Sequence, residues 1–276
     1  MNAVFVRMTG GVSGAEVYTA WLTRALQVHG SVSSCVLTDH MPFVTYLKDR
    51  NIPSRHVRMT VGEIGTKKSY LWACIRMPIY IPLMVRQIGV ECVKLQTKRV
   101  VLESTTEKVF LTGLLTLLGY RVTWIEHGPF MRTDRWVVIK KLYVLASRFV
   151  RTIIAVSEDT KQDLVSGGVH EKKIKAIVIG IPENELQQKK HTGRVEYIGY
   201  LGGINKTKGI EDFVSIARRI AGRYTELKFC AIGSGPLASW VKKQSKDKVL
   251  SSRLAVYEDP DDRSILSGID VFVFPT

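Results

Sequence analysis

The sequence predicts an α/β fold with parallel sheets, laid out as two successive doubly wound series. Three observations carry that prediction. Short β-branched apolar runs alternate with segments of helical apolar spacing, the order in which a parallel sheet gains helices on both faces. A polar stretch without periodicity, residues 181–193, contains Pro182 and interrupts the alternation. A second strand–helix series then begins. The expected domains are therefore residues 1–182 and 183–276.

Taken in order, residues 3–8 read as a buried strand and residues 9–14 as a glycine-rich turn. Residues 15–28 place Val17, Ala20, Trp21, Ala25 and Val28 at helical spacing, and Gly30 ends that helix. Residues 33–37, 100–102, 122–126, 153–156 and 176–179 read as further strands, with helices at 108–118 and 135–149. Beyond the break, strands are expected at 195–198, 227–232, 254–257 and 271–274, with helices at 210–224 and 237–246. Four strands fall short of the usual five or six, so the second domain is expected to be incomplete in this chain.

Composition narrows the class. With 276 residues, 45% hydrophobic and 24% charged, the chain is globular rather than disordered. Cys35, Cys74, Cys92 and Cys230 form no CxxC pair. That pattern excludes a disulfide scaffold or zinc ribbon and predicts reduced, mostly buried thiols in a cytoplasmic protein. The opening places Arg7 and a glycine turn where a signal peptide would stay apolar. The most apolar stretch, residues 71–90, carries Arg76, Arg86, Pro78 and Pro82, and its uninterrupted apolar runs are far short of the ~20 residues a membrane span needs.

The net charge of +15 is unevenly spread. Residues 1–182 hold 25 Lys and Arg against 13 Asp and Glu, whereas residues 183–276 hold 15 against 12. The first half thus calls for an anionic partner. From charge alone, nucleic acid and an anionic membrane surface are both candidates.

Five segments carry candidate chemistry. TGGVSGAE, residues 9–16, puts Gly14 at the opening of a helix, where amide groups and the helix dipole suit a phosphate. It lacks GxGxxG spacing and could equally be a plain βα turn. WIEHGPF, residues 124–130, puts His127 just past the carboxyl end of a strand, where open α/β sheets bind ligands. There an imidazole can donate a hydrogen bond or move a proton. Glu126 beside it would orient the ring or stand as a solvent-facing charge. Ser157, with Glu158 and Asp159 after it, reads as a helix N-cap with dipole-matched acids. Lys206 and Lys208 precede Gly209 and a helix, a setting suited to a diphosphate, although alone they read as a solvated pair. AIGSGP, residues 231–236, is another glycine turn opening a helix at Gly233. HExxH, GxxxxGK[ST], GxSxG and metal-ligand spacings are all missing from the sequence. Aromatic and basic residues form no RNA-binding pattern, so no nucleic-acid partner is expected.

In this order and spacing, the segments make the chain resemble the family-4 glycosyltransferases of the GT-B fold over nearly its whole length. Gly14-Ala15-Glu16 resembles that family's N-terminal glycine turn, and Ile125 to Gly128 its histidine-bearing loop. AVSE with GVHEKKIKAIVIGI is similar to the end of its first domain. Lys208-Gly209, GSGP and DVFVFPT match its donor-side landmarks.

The resemblance implies two Rossmann-like domains, the first on the acceptor side and the second, cut short here, binding a nucleotide-sugar. It implies sugar transfer from a UDP- or GDP-linked donor, with retention, to a glycan or lipid-linked acceptor in cell-surface polysaccharide, lipopolysaccharide or glycolipid synthesis. It assigns His127 to catalysis. Gly14, Lys206, Lys208, Gly209, Gly233, Tyr257 and Glu258 are assigned to the donor, with no metal and no cofactor. The site is expected in the cytoplasm, with peripheral attachment to the inner membrane face. Tyr200 stands where the family has a phosphate-binding Arg, and Ile179-Gly180 where it has Asn-Gly. The family's later donor-binding glutamates lie past Thr276. A nucleotide-sugar- or glycan-binding scaffold is therefore the alternative expectation.

Overall fold

The computed structural model describes residues 2–30, 32–57, 67–133, 136–180, 193–257 and 267–275. The chain divides into two compact units, Met1–Ile181 and Pro182–Thr276.

The first unit is built on seven parallel strands in the order β3-β2-β1-β4-β5-β6-β7. They are β1 (Ala3–Val6), β2 (Ser34–Thr38), β3 (Ser54–His56), β4 (Arg99–Leu102), β5 (Arg121–Glu126), β6 (Thr152–Ala155) and β7 (Ile174–Ala176). The helices between them are α1 (Gly14–Gly30), α2 (Met41–Asp49), α3 (Lys67–Lys94), α4 (Thr105–Leu117), α5 (Val137–Ser147) and α6 (Glu158–Ser166). The central strands are apolar because both faces are covered: Val4 and Val6 belong to one core cluster, Phe5 and Val36 to the other. Strand order reverses direction at β1 and β4, so the open end above those two strands is the topological switch point.

The second unit holds a four-stranded parallel sheet in the order β10-β9-β8-β11. Its strands are β8 (Tyr197–Leu201), β9 (Lys228–Ile232), β10 (Leu254–Tyr257) and β11 (Val271–Phe272), with α7 (Ile210–Ala221) and α8 (Ala238–Gln244). Phe213, Val214 and Ala217 of α7 pack on Ile198, Tyr200 and Phe229 of the sheet.

Several expectations need correction. The strand expected at 176–179 is β7, two residues earlier, so Ile177 to Ile179 lie outside it. The edge pair α2 and β3 and the helix α3 are additions. The expectation of mostly buried thiols needs none: Cys35, Cys92 and Cys230 are buried, and Cys74 is exposed on α3.

Candidate functional site

In the first unit the polar residues gather at the carboxyl ends of β1, β4 and β5. Ser13 caps α1: its carbonyl accepts the amide of Val17 at 3.0 Å, while Glu16 Oε2 accepts the Ser13 amide at 2.9 Å and its hydroxyl at 2.6 Å. This is the carboxylate half of a capping box, with the Ser13 hydroxyl donating to Glu16 instead of accepting its amide; the S-x-x-E spacing is the sequence signal for the pair. Arg7, just past β1, grips the same carboxylate through Nε and Nη2 at 2.8 and 2.6 Å. Burial would raise the Glu16 carboxyl, but Arg7 and Ser13 outweigh it and hold the group below the usual carboxylate range. The turn ahead of the helix is fixed by Asp39, whose Oδ1 accepts the Thr9 amide at 3.0 Å. Around Gly10, Gly11 and Gly14 the space a Cβ would fill is open. Gly14 is the first residue of α1, where backbone amides lack intrahelical partners.

His127 follows β5 directly. Its Nε2 stands 3.0 Å from Oε2 of Glu103, the residue just past β4, whose side chain is fully buried. Thr19 of α1 brings its hydroxyl to 2.6 Å from the same oxygen, and the Tyr18 ring meets the imidazole edge-on at 5.4 Å. Gly14 and His127 are thereby joined through α1 and Glu103. With Nε2 donating to Glu103, a neutral ring offers Nδ1 as an acceptor; donation from both nitrogens requires the imidazolium. Nδ1 and Glu103 Oε1 are buried without a hydrogen-bond partner among the described residues. The loop after His127 is held by Asp163 of α6, which accepts the Met131 and Arg132 amides at 2.7 and 3.0 Å.

Glu126 does not orient the imidazole. Its Oε2 accepts from Lys108 Nζ at 2.8 Å and from the Tyr143 hydroxyl at 2.6 Å. Burial drives the Lys108 ammonium down against the pull of Glu126, and drives the Tyr143 hydroxyl well up. Four residues past Glu103, in the first turn of α4, Glu107 accepts the Tyr80 hydroxyl of α3 at 2.6 Å. Burial raises its carboxyl despite that bond. Glu103 and Glu107 were both missed in the sequence.

In the second unit the predicted donor residues share the carboxyl ends of β8, β9 and β10. Lys206 and Lys208 sit exposed in a 3-10 turn, Lys206–Lys208. Asn205 caps that turn by accepting the Lys208 amide at 3.0 Å, and Gly209 turns it into α7 at φ 67°. Tyr200, 1% exposed, donates its hydroxyl toward the carbonyls of Gly203 at 2.7 Å and Lys208 at 3.1 Å. Tyr200 thus anchors the lysine-bearing turn. Glu211 and Asp212 occupy the first turn of α7 and complement its dipole, so the lysines supply the positive charge here. Gly233 donates its amide to the Tyr257 carbonyl at 2.8 Å. A Cβ on Gly233 would stand 2.1 Å from the Gly202 carbonyl oxygen, so this glycine is required by the close approach of two βα loops. Tyr257, at the end of β10, is 39% exposed. Glu258 lies outside the described residues.

No family model and no curated protein matches the sequence. Solved structures do. Anabaena HepE in complex with UDP-glucose matches at TM-score 0.75 and 15% identity, over 99% of this chain and 73% of that one. A glycosyltransferase from Rickettsia africae matches at TM-score 0.72 and 15% identity, over 100% and 73%. A Staphylococcus aureus TarM variant in complex with fondaparinux, alpha-GlcNAc-glycerol and UDP matches at TM-score 0.69 and 11% identity, over 99% and 81%. At these identities the likeness establishes a fold, and the fold of this chain is that of the GT-B glycosyltransferases.

Proposed function

We propose that the chain is a glycosyltransferase that moves a sugar, with retention, from a nucleotide-sugar to a glycan or lipid-linked acceptor. The pathway would be cell-surface polysaccharide, lipopolysaccharide or glycolipid synthesis, with the protein peripheral on the cytoplasmic face of the membrane. The observation that carries this reading is the Tyr200-anchored turn with Lys206 and Lys208 at the carboxyl end of β8. It occurs in a fold whose similar structures include HepE with UDP and glucose. A departing nucleoside diphosphate gathers negative charge, which two exposed lysines on a backbone-anchored turn would offset without a metal ion. Gly209 and Gly233 shape the adjoining loops, and Tyr257 with Glu258 would face the base. In the first unit Gly14, the first residue of α1, would offer a free backbone amide to the donor phosphate. His127, backed by Glu103, would donate to the sugar from Nδ1 when protonated.

Titration calorimetry with UDP, GDP and UDP-glucose tests the donor half of the proposal. Binding of at least one of these, followed by transfer with an unchanged anomeric configuration by NMR, is the expected result. Binding of none would overturn the reading. Binding without turnover on any acceptor would leave a nucleotide-sugar-binding scaffold in its place.

A further inference from the structure

The helix α3 has two apolar faces where a surface helix needs one. Ala73, Met77, Tyr80, Met84, Ile88 and Cys92 recur at three- and four-residue spacing and are buried in the core of the first unit. On the rest of the helix surface Leu71, Trp72, Ile75, Ile79 and Leu83 are exposed, Ile75 by 71% and Ile79 by 61%. An apolar stripe of this kind on a surface marks a site of attachment. No helix among the described residues is long and apolar enough to cross a membrane, so the stripe would have to lie along a surface.

Charge identifies the surface. Lys67, Lys68, Arg76, Arg86 and Lys94 are exposed on the same helix. The Arg76 guanidinium lies 5.8 Å from the centre of the Trp72 ring. The one acid of the helix, Glu91, is buried and already held by Arg55 at 2.5 Å and Lys94 at 2.9 Å. A second copy meeting this face across a two-fold axis would set one cationic face against another with no exposed acid on either helix, which is unfavourable. An anionic lipid surface accepts both components: apolar side chains enter the acyl boundary and the cations meet headgroup phosphates.

The position of the stripe fits the site. Tyr80, on the opposite face of the same turns, donates to Glu107. Glu107, in the first turn of α4, lies four residues past Glu103, which holds His127. We infer that the exposed face of α3 docks the first unit on an anionic membrane, bringing a lipid-borne acceptor to the end of the sheet where His127 stands. The docking stands on α3 alone, and the role given to it rests on the glycosyltransferase reading.

Flotation with phosphatidylcholine vesicles, with and without phosphatidylglycerol, tests it on the full chain. Partition is expected only onto phosphatidylglycerol-containing vesicles and should weaken as salt rises. Ile75→Glu with Ile79→Glu should lower it at least tenfold. Arg76→Gln with Arg86→Gln should lower it about fivefold per cation removed. Trp72→Gln should abolish any vesicle-induced blue shift of tryptophan emission, should the double glutamate variant fold poorly. Flotation on neither vesicle, or equal flotation of all variants, would overturn the inference. So would a dimer by light scattering that Ile75→Glu with Ile79→Glu dissolves. Calorimetry with UDP on the same variants keeps the two readings apart. Undiminished UDP affinity is expected in every variant, and a wild-type chain that binds UDP yet floats on neither vesicle would remove the docking alone.

Discussion

Lys208 is the side chain on which the donor assignment turns. It is exposed, yet its amide and carbonyl are both fixed, by Asn205 and Tyr200. Lys208→Ala should therefore leave the turn in place and delete only the charge. A hydrogen bond to a charged group contributes ~1.5–3 kcal/mol, so UDP affinity should fall about ten- to a hundredfold by calorimetry; unchanged affinity would remove Lys208 from the site. Glu107 supports a prediction of a different kind. Its folded-state pKa is raised by burial, so the native state keeps a proton that the unfolded chain releases near pH ~4.3. Stability from this group is full below that pH and is lost as pH rises through the raised folded value. Glu107→Gln removes the titration. Its midpoint denaturant concentration should gain on wild type between about pH 4 and pH 7. Parallel curves would show that Glu107 stays charged when folded.

Helices and strands were legible where one period dominated. The strand at Leu254–Tyr257 and the N-cap of α6, where Ser157 accepts the Thr160 amide at 3.1 Å, follow from local chemistry. The edge strand Ser54–His56 was invisible because it has no apolar run to reveal it. In α3 the apolar residues on both faces hide the helical period, and Pro78 and Pro82 argue against a helix that tertiary packing nonetheless builds. Glu103 could not be found from its neighbours, since its meaning comes from His127, just past the adjacent strand. The glycine turns were found, but not the reason for Gly233, which lies in the facing Gly202 carbonyl. Gly233→Ala, with φ at 136° and no room for a methyl, should destabilise the second unit by more than ~1 kcal/mol. A lower melting midpoint by circular dichroism would report it, and an unchanged one would mean the two loops can part.

At the scale of the molecule, each unit has its own interior. The clusters of the first draw on residues from Val4 to Ile174, those of the second on residues from Ile198 to Ile269. A fragment spanning residues 1–181 should therefore fold alone. One cooperative thermal transition with native-like ellipticity is expected, and a fragment that melts without a sigmoid would show that its core is incomplete. The doubly wound layout was readable from the alternation of segments. The order in which the strands lie side by side was not, because pairing is decided by distant partners.

That order has a consequence for synthesis. Val4 is flanked by Cys35 on one side and by Val100 on the other. A nascent chain leaving the ribosome can dock its second strand early, but the vacancy beside its first persists until Leu102 has emerged. By the end of that interval the segment 71–93 has also left the exit tunnel while its eventual inner face is still unsheltered, and until β4 pairs the exposed apolar surface opens a route to aggregation.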